Sequence, residues 1–162
     1  MKTQHLIIDG YCLLHRDAEL QPLTRGRLEL ARHLLIRKIA RVCDMMAKRT
    51  TIVFDGQTRG RDAGASSSSI DVVYSHRHET ADTVIEIMTT QSERSESILV
   101  VTSDRAEINV VLAAGAQVMS CSGFMDRCNE HTRQVTSRIR QARSRQQPHR
   151  LGDHFPDPGM MT

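Results

Sequence analysis

Four aspartates define the chemistry open to this chain. Asp9 follows Leu6-Ile7-Ile8, Asp55 follows Ile52-Val53-Phe54, and Asp104 follows Val100-Val101-Thr102-Ser103, so three short apolar runs each lead to a carboxylate. Asp82 is the fourth, with Glu79 three residues before it and Glu86 four after. Taken singly, an acid beyond a strand is a turn former or a helix N-cap. Three at one edge need more, because crowded like charges raise each other's pKa unless a cation lies between them. The reading is that Asp9, Asp82 and Asp104 surround one or two divalent ions and form the catalytic centre. Mg2+ or Mn2+ fits such a set, since a hard cation takes oxygen ligands and lets substrate phosphate and water complete its shell. That chemistry activates water against a phosphodiester and stabilises the leaving oxygen, with no covalent nucleophile.

Other catalytic constellations are weak. There is no G-x-G-x-x-G and no phosphate-loop lysine, so nucleotide cofactors are not indicated. The run DGYC lacks the second aspartate of a phosphatase that forms an aspartyl-phosphate, and no G-x-S-x-G marks a hydrolase serine. A phosphotransfer receiver domain also gathers acids at strand ends, but it wants a lysine after the fifth strand, where MSCSGFMD has none. His76 and His78 read as a solvated strand end. Cys12, beside the acidic cluster, reads as a small inert thiol, and Met45 and Met46 as helix core.

The elements that must position these acids follow from apolar periodicity. Strands are expected at Leu6–Ile8, Thr51–Phe54, Ile70–Tyr74, Ile98–Val101 and Ala116–Met119, the first two closed by Asp-Gly turns. Helices are expected from about Thr24 to Lys48, where Leu28, Ala31, Leu35, Ile39, Val42 and Met46 recur at steps of three and four. Further helices follow at about Ala81–Thr90 with Thr80 as N-cap, over Ile108–Leu112 ending at Gly115, and from Phe124 to about Arg145. Residues 57–69, QTRGRDAGASSSS, read as a flexible loop. Short apolar strands alternating with helices give an α/β fold, a mostly parallel five-stranded sheet with helices on both faces. In such sheets the site lies beyond the carboxyl ends of the strands.

The chain has 162 residues, enough for one domain with a substantial core. We expect that domain over residues 1–146 and a tail over 147–162, where three prolines and two glycines disfavour order. With 39% hydrophobic and 3% aromatic residues, the core must rest on Val, Ile, Leu, Met and Ala. The net charge is +3, yet seven arginines and a single acid lie between Arg127 and Arg150. A basic segment beside an acidic pocket suits a phosphate-rich polymer, and a solvated arginine tail is the bland alternative. Four cysteines without a C-x-x-C pair, and an N-terminus without a long apolar stretch, lead us to expect reduced thiols in the cytoplasm and no membrane span.

The series IIDGYCLL, VFDG, a glycine-rich loop, VVYS, ETADTVIE, LVVTSD and GAQVMS resembles the YacP-like branch of NYN-domain proteins, which are PIN-like ribonucleases. The likeness runs over about residues 5–145. It implies a three-layer α/β/α PIN-like fold and divalent-metal-dependent endonucleolytic cleavage of single-stranded RNA. By motif its acids map onto Asp9 of DGY, Asp82 of ETAD and Asp104 of TSD. Asp55, Glu79 and Asp126 are secondary candidates. The family pattern reads DGYN, and this chain has Cys12 in place of that asparagine. Arg59, Arg61, Arg105, Arg133, Arg138, Arg140 and Arg143 are the expected RNA contacts. Two Tyr and three Phe leave little for base stacking, so a larger ribonucleoprotein is a candidate for presenting the substrate. The rival readings are a non-catalytic RNA-binding module on the same fold and a DNA-directed nuclease of the same superfamily.

Overall fold

The computed structural model describes residues 3–56, 60–62 and 64–145. Chain contacts divide it into a compact unit, Met1–His131, and a second unit, Thr132–Thr162. The strands are β1 (Thr3–Asp9), β2 (Ala47–Phe54), β3 (Gly60–Arg61), β4 (Ile70–Tyr74), β5 (Ile98–Val101) and β6 (Gln117–Met119). The α-helices are α1 (Gly10–Arg16), α2 (Leu28–Ala40), α3 (Cys43–Met46), α4 (Ala81–Thr90), α5 (Arg105–Ala113) and α6 (Cys121–Arg145). The sheet order is β3-β4-β2-β1-β5-β6. Among the described residues five strands are parallel, and only the two-residue β3 runs antiparallel, against β4.

β1 is central, flanked by β2 and β5, and its alternation assigns the two faces. Leu6 and Ile8 join Leu13 and Leu14 of α1, Leu35 and Ile39 of α2, and Phe124 of α6. Ile7 points the other way and packs with Val53 and Val100 against Val84 and Ile85 of α4 and Val111 of α5. Helices therefore cover both faces, and the chain adopts the expected three-layer α/β/α architecture. Each such fully buried side chain contributes roughly 1.5–3 kcal/mol. Successive connections leave β1 towards β2 and β4, then cross to β5 and β6, so the order reverses beside β1. That reversal puts the carboxyl ends of β1 and β5 at the crevice where α/β sheets hold ligands.

Several expected boundaries are corrected. The helix foreseen over 24–48 is α2 alone, preceded by a 3₁₀ turn at Gln21–Arg25 and followed by the single turn of α3. It ends at Ala40 because the chain must turn there to enter β2, which starts four residues earlier than its apolar run. Thr3 pairs with Ala47, so backbone pairing with β1 extends the strand through the exposed Lys48 and Arg49. Met45, expected in the core, is 59% exposed. Part of the expected loop pairs as β3.

The first Asp-Gly pair is no turn. Asp9 N-caps α1, a helix the apolar pattern did not show. A Cβ on Gly10 would lie 2.3 Å from the Phe54 ring, so glycine lets α1 start against β2. Thr80 caps α4 as expected, accepting from the Thr83 amide. Gly115 closes α5 with a φ of 87°, the left-handed conformation glycine adopts freely. Tail residues 147–162 fall outside the described residues. No described helix is long and apolar enough to cross a membrane.

Candidate metal centre

Three acids arrive at the crevice from three elements. Asp9 closes β1, Asp82 lies in the first turn of α4, and Glu107 lies in the first turn of α5. Each offers a carboxylate oxygen, and these atoms lie within 4.8 Å of one another. Asp9 and Glu107 are buried, at 7% and 5% exposure, while Asp82 is open to solvent.

Local backbone chemistry orients each one. Asp9 Oδ1 accepts the Cys12 amide at 3.0 Å, which turns the carboxylate over the start of α1. Asp82 is placed from below by Asp55, whose Oδ1 accepts the Ala81 amide at 2.6 Å and the Ser75 hydroxyl at 3.5 Å. Glu107 is held through its own amide, which donates to Asp104 Oδ1 at 3.2 Å. Its two carboxylate oxygens are buried, with the Thr102 hydroxyl acting on them and no cation among the described residues paired with them.

Such crowding shows in the proton affinities. Burial, then the charges of Cys12, Asp82 and Asp55, raises Asp9 to about 7 against the pull of the Cys12 amide. Glu107 rises to about 8, through burial first and the nearby Asp9 and Asp82 charges, with the Thr102 hydroxyl opposing. Asp82 is raised by partial burial and by Asp104 and Asp55. Two buried acids that ionise only near neutrality, neither with a cationic partner among the described residues, describe a site lacking a counter-charge. Oxygens around one small cation stand about 2.1 Å from it and so up to about 4.2 Å apart, close to the spread seen here. The donor set is all carboxylate oxygen, which suits a hard divalent ion.

The other expected site residues fall as follows. Asp104 is the N-cap of α5, with Oδ1 accepting from Ala106 at 2.8 Å and from Glu107, and it lies outside the triad while adding to its negative field. Asp55 anchors α4. Glu79 precedes that helix, half-buried, and is not in the triad. Asp126 is exposed on α6 and lines a recess with Arg16, Asp17, Glu19 and Lys38. Arg105 is exposed at the start of α5. Arg133, Arg138, Arg140 and Arg143 belong to the second unit and are exposed. Arg59, and the side chain of Arg61, lie outside what is described. Glu107 is the acid that sequence reasoning missed; its one signal was a glutamate three residues after an N-cap aspartate, which reads as a capping box.

Cys12 occupies the turn after Asp9. Its Sγ accepts the Ser103 amide at 3.3 Å and lies 3.3 Å from Cys121 Sγ. The Cys121 thiol, donating to it, is the main cause that brings Cys12 down to about 6; Cys121 is pushed up in turn. On the other side of the α1 turn, the Arg32 guanidinium lies over the rings of Tyr11, Phe54 and Tyr74, with centroid distances of 5.3, 5.6 and 5.3 Å. It also hydrogen-bonds the Tyr11 hydroxyl. This packing ties α2 to the strand ends that carry Asp9 and Asp55.

Comparisons with known proteins place the fold. The chain is 27% identical over 141 residues to protein YacP of Bacillus subtilis (strain 168), covering 86% of this chain and 83% of that protein. It superposes on the crystal structure of a mutant form of Rae1 (YacP) from Bacillus subtilis with a TM-score of 0.74 at 27% identity, over 87% of this chain and 84% of that one. A second crystal structure of Rae1 (YacP) gives 0.71 at 26% identity, over 88% and 83%. The family model described as YacP-like NYN domain matches residues 6–157, nearly the whole chain, and the protein accordingly belongs to the YacP-like NYN domain family.

Proposed function

We propose that this protein is a divalent-metal-dependent endoribonuclease that hydrolyses phosphodiester bonds in single-stranded RNA. The observation that carries the reading is the convergence of Asp9, Asp82 and Glu107 within 4.8 Å, with the oxygens of Glu107 buried and faced by no cation among the described residues. Membership of a family of nuclease-like domains supports it.

Asp9, Asp82 and Glu107 would hold Mg2+ or Mn2+. Such an ion, when bound, supplies positive charge that acidifies water and stabilises charge developing on a phosphoryl oxygen. Everything else falls to the chain. Asp9 keeps Oδ1 on the Cys12 amide and has Oδ2 left for a ligand or a proton. Asp55 holds α4 so that Asp82 reaches the same point. Asp104 fixes the first turn of α5, and with it the Glu107 backbone. In the overall reaction water adds to phosphorus in line, and the products carry a 3′-hydroxyl and a 5′-phosphate. Arg105 and the exposed arginines of α6 would pair with backbone phosphates, with a ribonucleoprotein as one candidate for presenting the RNA.

The test is labelled single-stranded RNA incubated with the purified protein plus Mg2+, Mn2+ or excess chelator, beside a matched DNA strand. Cleavage of RNA that needs the metal and disappears in Asp9→Asn and Glu107→Gln proteins is the expected result. Salt-sensitive binding without cleavage would instead establish an RNA-binding module, and equal cleavage of DNA would remove the RNA preference.

A further inference from the structure

We propose that Cys12 and Cys121 form a peroxide-oxidised disulfide site, joining the first turn of α1 to the first residue of α6 beside the acidic cluster. The two residues are 109 positions apart in sequence, yet their sulfurs stand 3.3 Å from each other, inside van der Waals contact. Closing to a bond of about 2.05 Å is a small further step. The pair is also held in place. The Ser103 amide donates to Cys12 Sγ at 3.3 Å, and the Cys121 amide donates to Ser103 Oγ at 3.0 Å, so one residue braces both cysteines.

Exposure divides the labour. Cys12 is half-buried and open to a small oxidant, whereas Cys121 is 0% exposed. The Cys12 sulfur attacks one oxygen of hydrogen peroxide, the O–O bond breaks, and Cys12 becomes a sulfenic acid as one water leaves. The Cys121 sulfur then attacks the Cys12 sulfur, the S–S bond forms, and the sulfenic oxygen departs as a second water. Two thiols thus give two electrons and two protons to one peroxide. Cys43 and Cys128 are each 1% exposed and stay thiols. In a chain without the DGYN asparagine, the substituting cysteine has a partner in reach.

The bridge would draw Cys12 Sγ from the Ser103 amide, next to Asp104, while the Cys12 amide still holds Asp9. Any effect on cleavage rests on the nuclease reading; formation of the bridge does not.

The test is the full-length reduced protein treated with stoichiometric hydrogen peroxide, unfolded, alkylated and mapped by peptide mass spectrometry. We expect two of its four thiols to be lost, one intramolecular Cys12–Cys121 peptide pair, and full recovery with dithiothreitol. Cys121→Ser should abolish the pair and leave Cys12 to oxidise further to sulfinic acid. Wild-type protein that gives sulfinic acid at Cys12 with Cys121 still alkylated, or pairs any other cysteines, overturns the proposal. The wild-type map decides this whether or not the serine variant folds and whether or not the protein cleaves RNA.

Discussion

Asp17, at the end of α1, is 3% exposed; its Oδ1 accepts the amides of Glu19 and Leu20, and its Oδ2 accepts from Lys38 at 2.7 Å. Glu107, at the start of α5, is 5% exposed and has the Thr102 hydroxyl but no cation and no backbone amide on its carboxylate. One compact unit therefore contains both treatments of a buried acid. Around Asp17 the fold supplies a cation and two donors of its own, and the charge is a structural fixture. At Glu107 it supplies two more acids. A carboxylate left so is tolerated only protonated or beside an external cation. The difference separates acids that serve the fold from acids that wait for a ligand, and it can be broken by experiment.

The largest effect is expected at the triad. Glu107→Gln and Asp9→Asn should each lower metal-dependent RNA cleavage by about 100-fold or more, because a neutral amide is a poor cation ligand. In chelator at pH 8 the same Glu107→Gln protein should melt no lower than wild type, since an uncompensated charge has been removed. A melting temperature several degrees lower would mean that Glu107 serves the fold as Asp17 does.

The converse change is Lys38→Met. It strands Asp17 without its counter-charge and should cost about 2–3 kcal/mol in urea unfolding, the pair being largely buried. Cleavage per folded molecule should stay unchanged. Loss of activity in a stable Lys38→Met protein would move the functional boundary to include the Asp17 region and the recess that Asp126 shares.

Proton linkage gives a third test. Asp9 and Glu107 ionise in the folded chain near 7 and 8, against ordinary values of 3.8 and 4.5. Between roughly pH 4 and pH 8 the folded state therefore holds protons that the unfolded state has lost. The slope of stability against pH from these two groups is negative: their contribution is intact below the ordinary carboxylate values and declines as pH rises towards 8. Melting in chelator at pH 6 and pH 8.5 should show a fall of several degrees, and saturating Mn2+ should restore much of it at the higher pH by replacing the protons. A chelator-treated protein whose stability stays flat across that range would mean the cluster is less crowded than its geometry indicates.

The extent to which sequence revealed this site depended on the element carrying each residue. Asp9 and Asp104 stood out because a parallel sheet puts ligands at strand ends, and short apolar runs show where strands end. Asp82 followed from a recognisable N-cap at Thr80. Glu107 stayed hidden because helix starts favour glutamate for reasons of capping and dipole alone, and nothing local says that this one is buried against Asp9. That fact belongs to the β1–β5 pairing, in which Ile8 faces Val101. The layers were legible from alternating strands and helices, whereas the start of β2 at Ala47 was not, because pairing with Thr3 and not local propensity decides it. α1 was hidden for a like reason: its seven residues begin with a Gly whose role is to clear Phe54.

Smaller effects sharpen the roles around the triad. Asp55→Asn keeps the shape but weakens a charge-assisted bond to the Ala81 amide, so α4 and Asp82 should shift slightly. Cleavage should fall about 10-fold, with weaker Mn2+ binding by calorimetry, as for other groups that orient metal ligands. An unchanged Mn2+ affinity would show that α4 is placed well enough by Val84 and Ile85 alone.

Asp104 gives the finest distinction, because two roles predict different substitution patterns. Its Oδ1 already accepts two amides at the start of α5, which is what an N-cap does and what serine does almost as well. If capping is its whole contribution, Asp104→Ser should retain cleavage within a few-fold and Asp104→Ala should lose about 1 kcal/mol of stability with a matching modest loss of activity. If its charge also serves the cation, serine and alanine should fail alike, and both should weaken Mn2+ binding. The position outside the triad favours the first pattern. Its place in the electrostatics of Asp82 keeps the second in view, so the serine variant, measured at saturating and at limiting Mn2+, decides whether the acid expected from the TSD motif acts on the ion or only on the helix beneath Glu107.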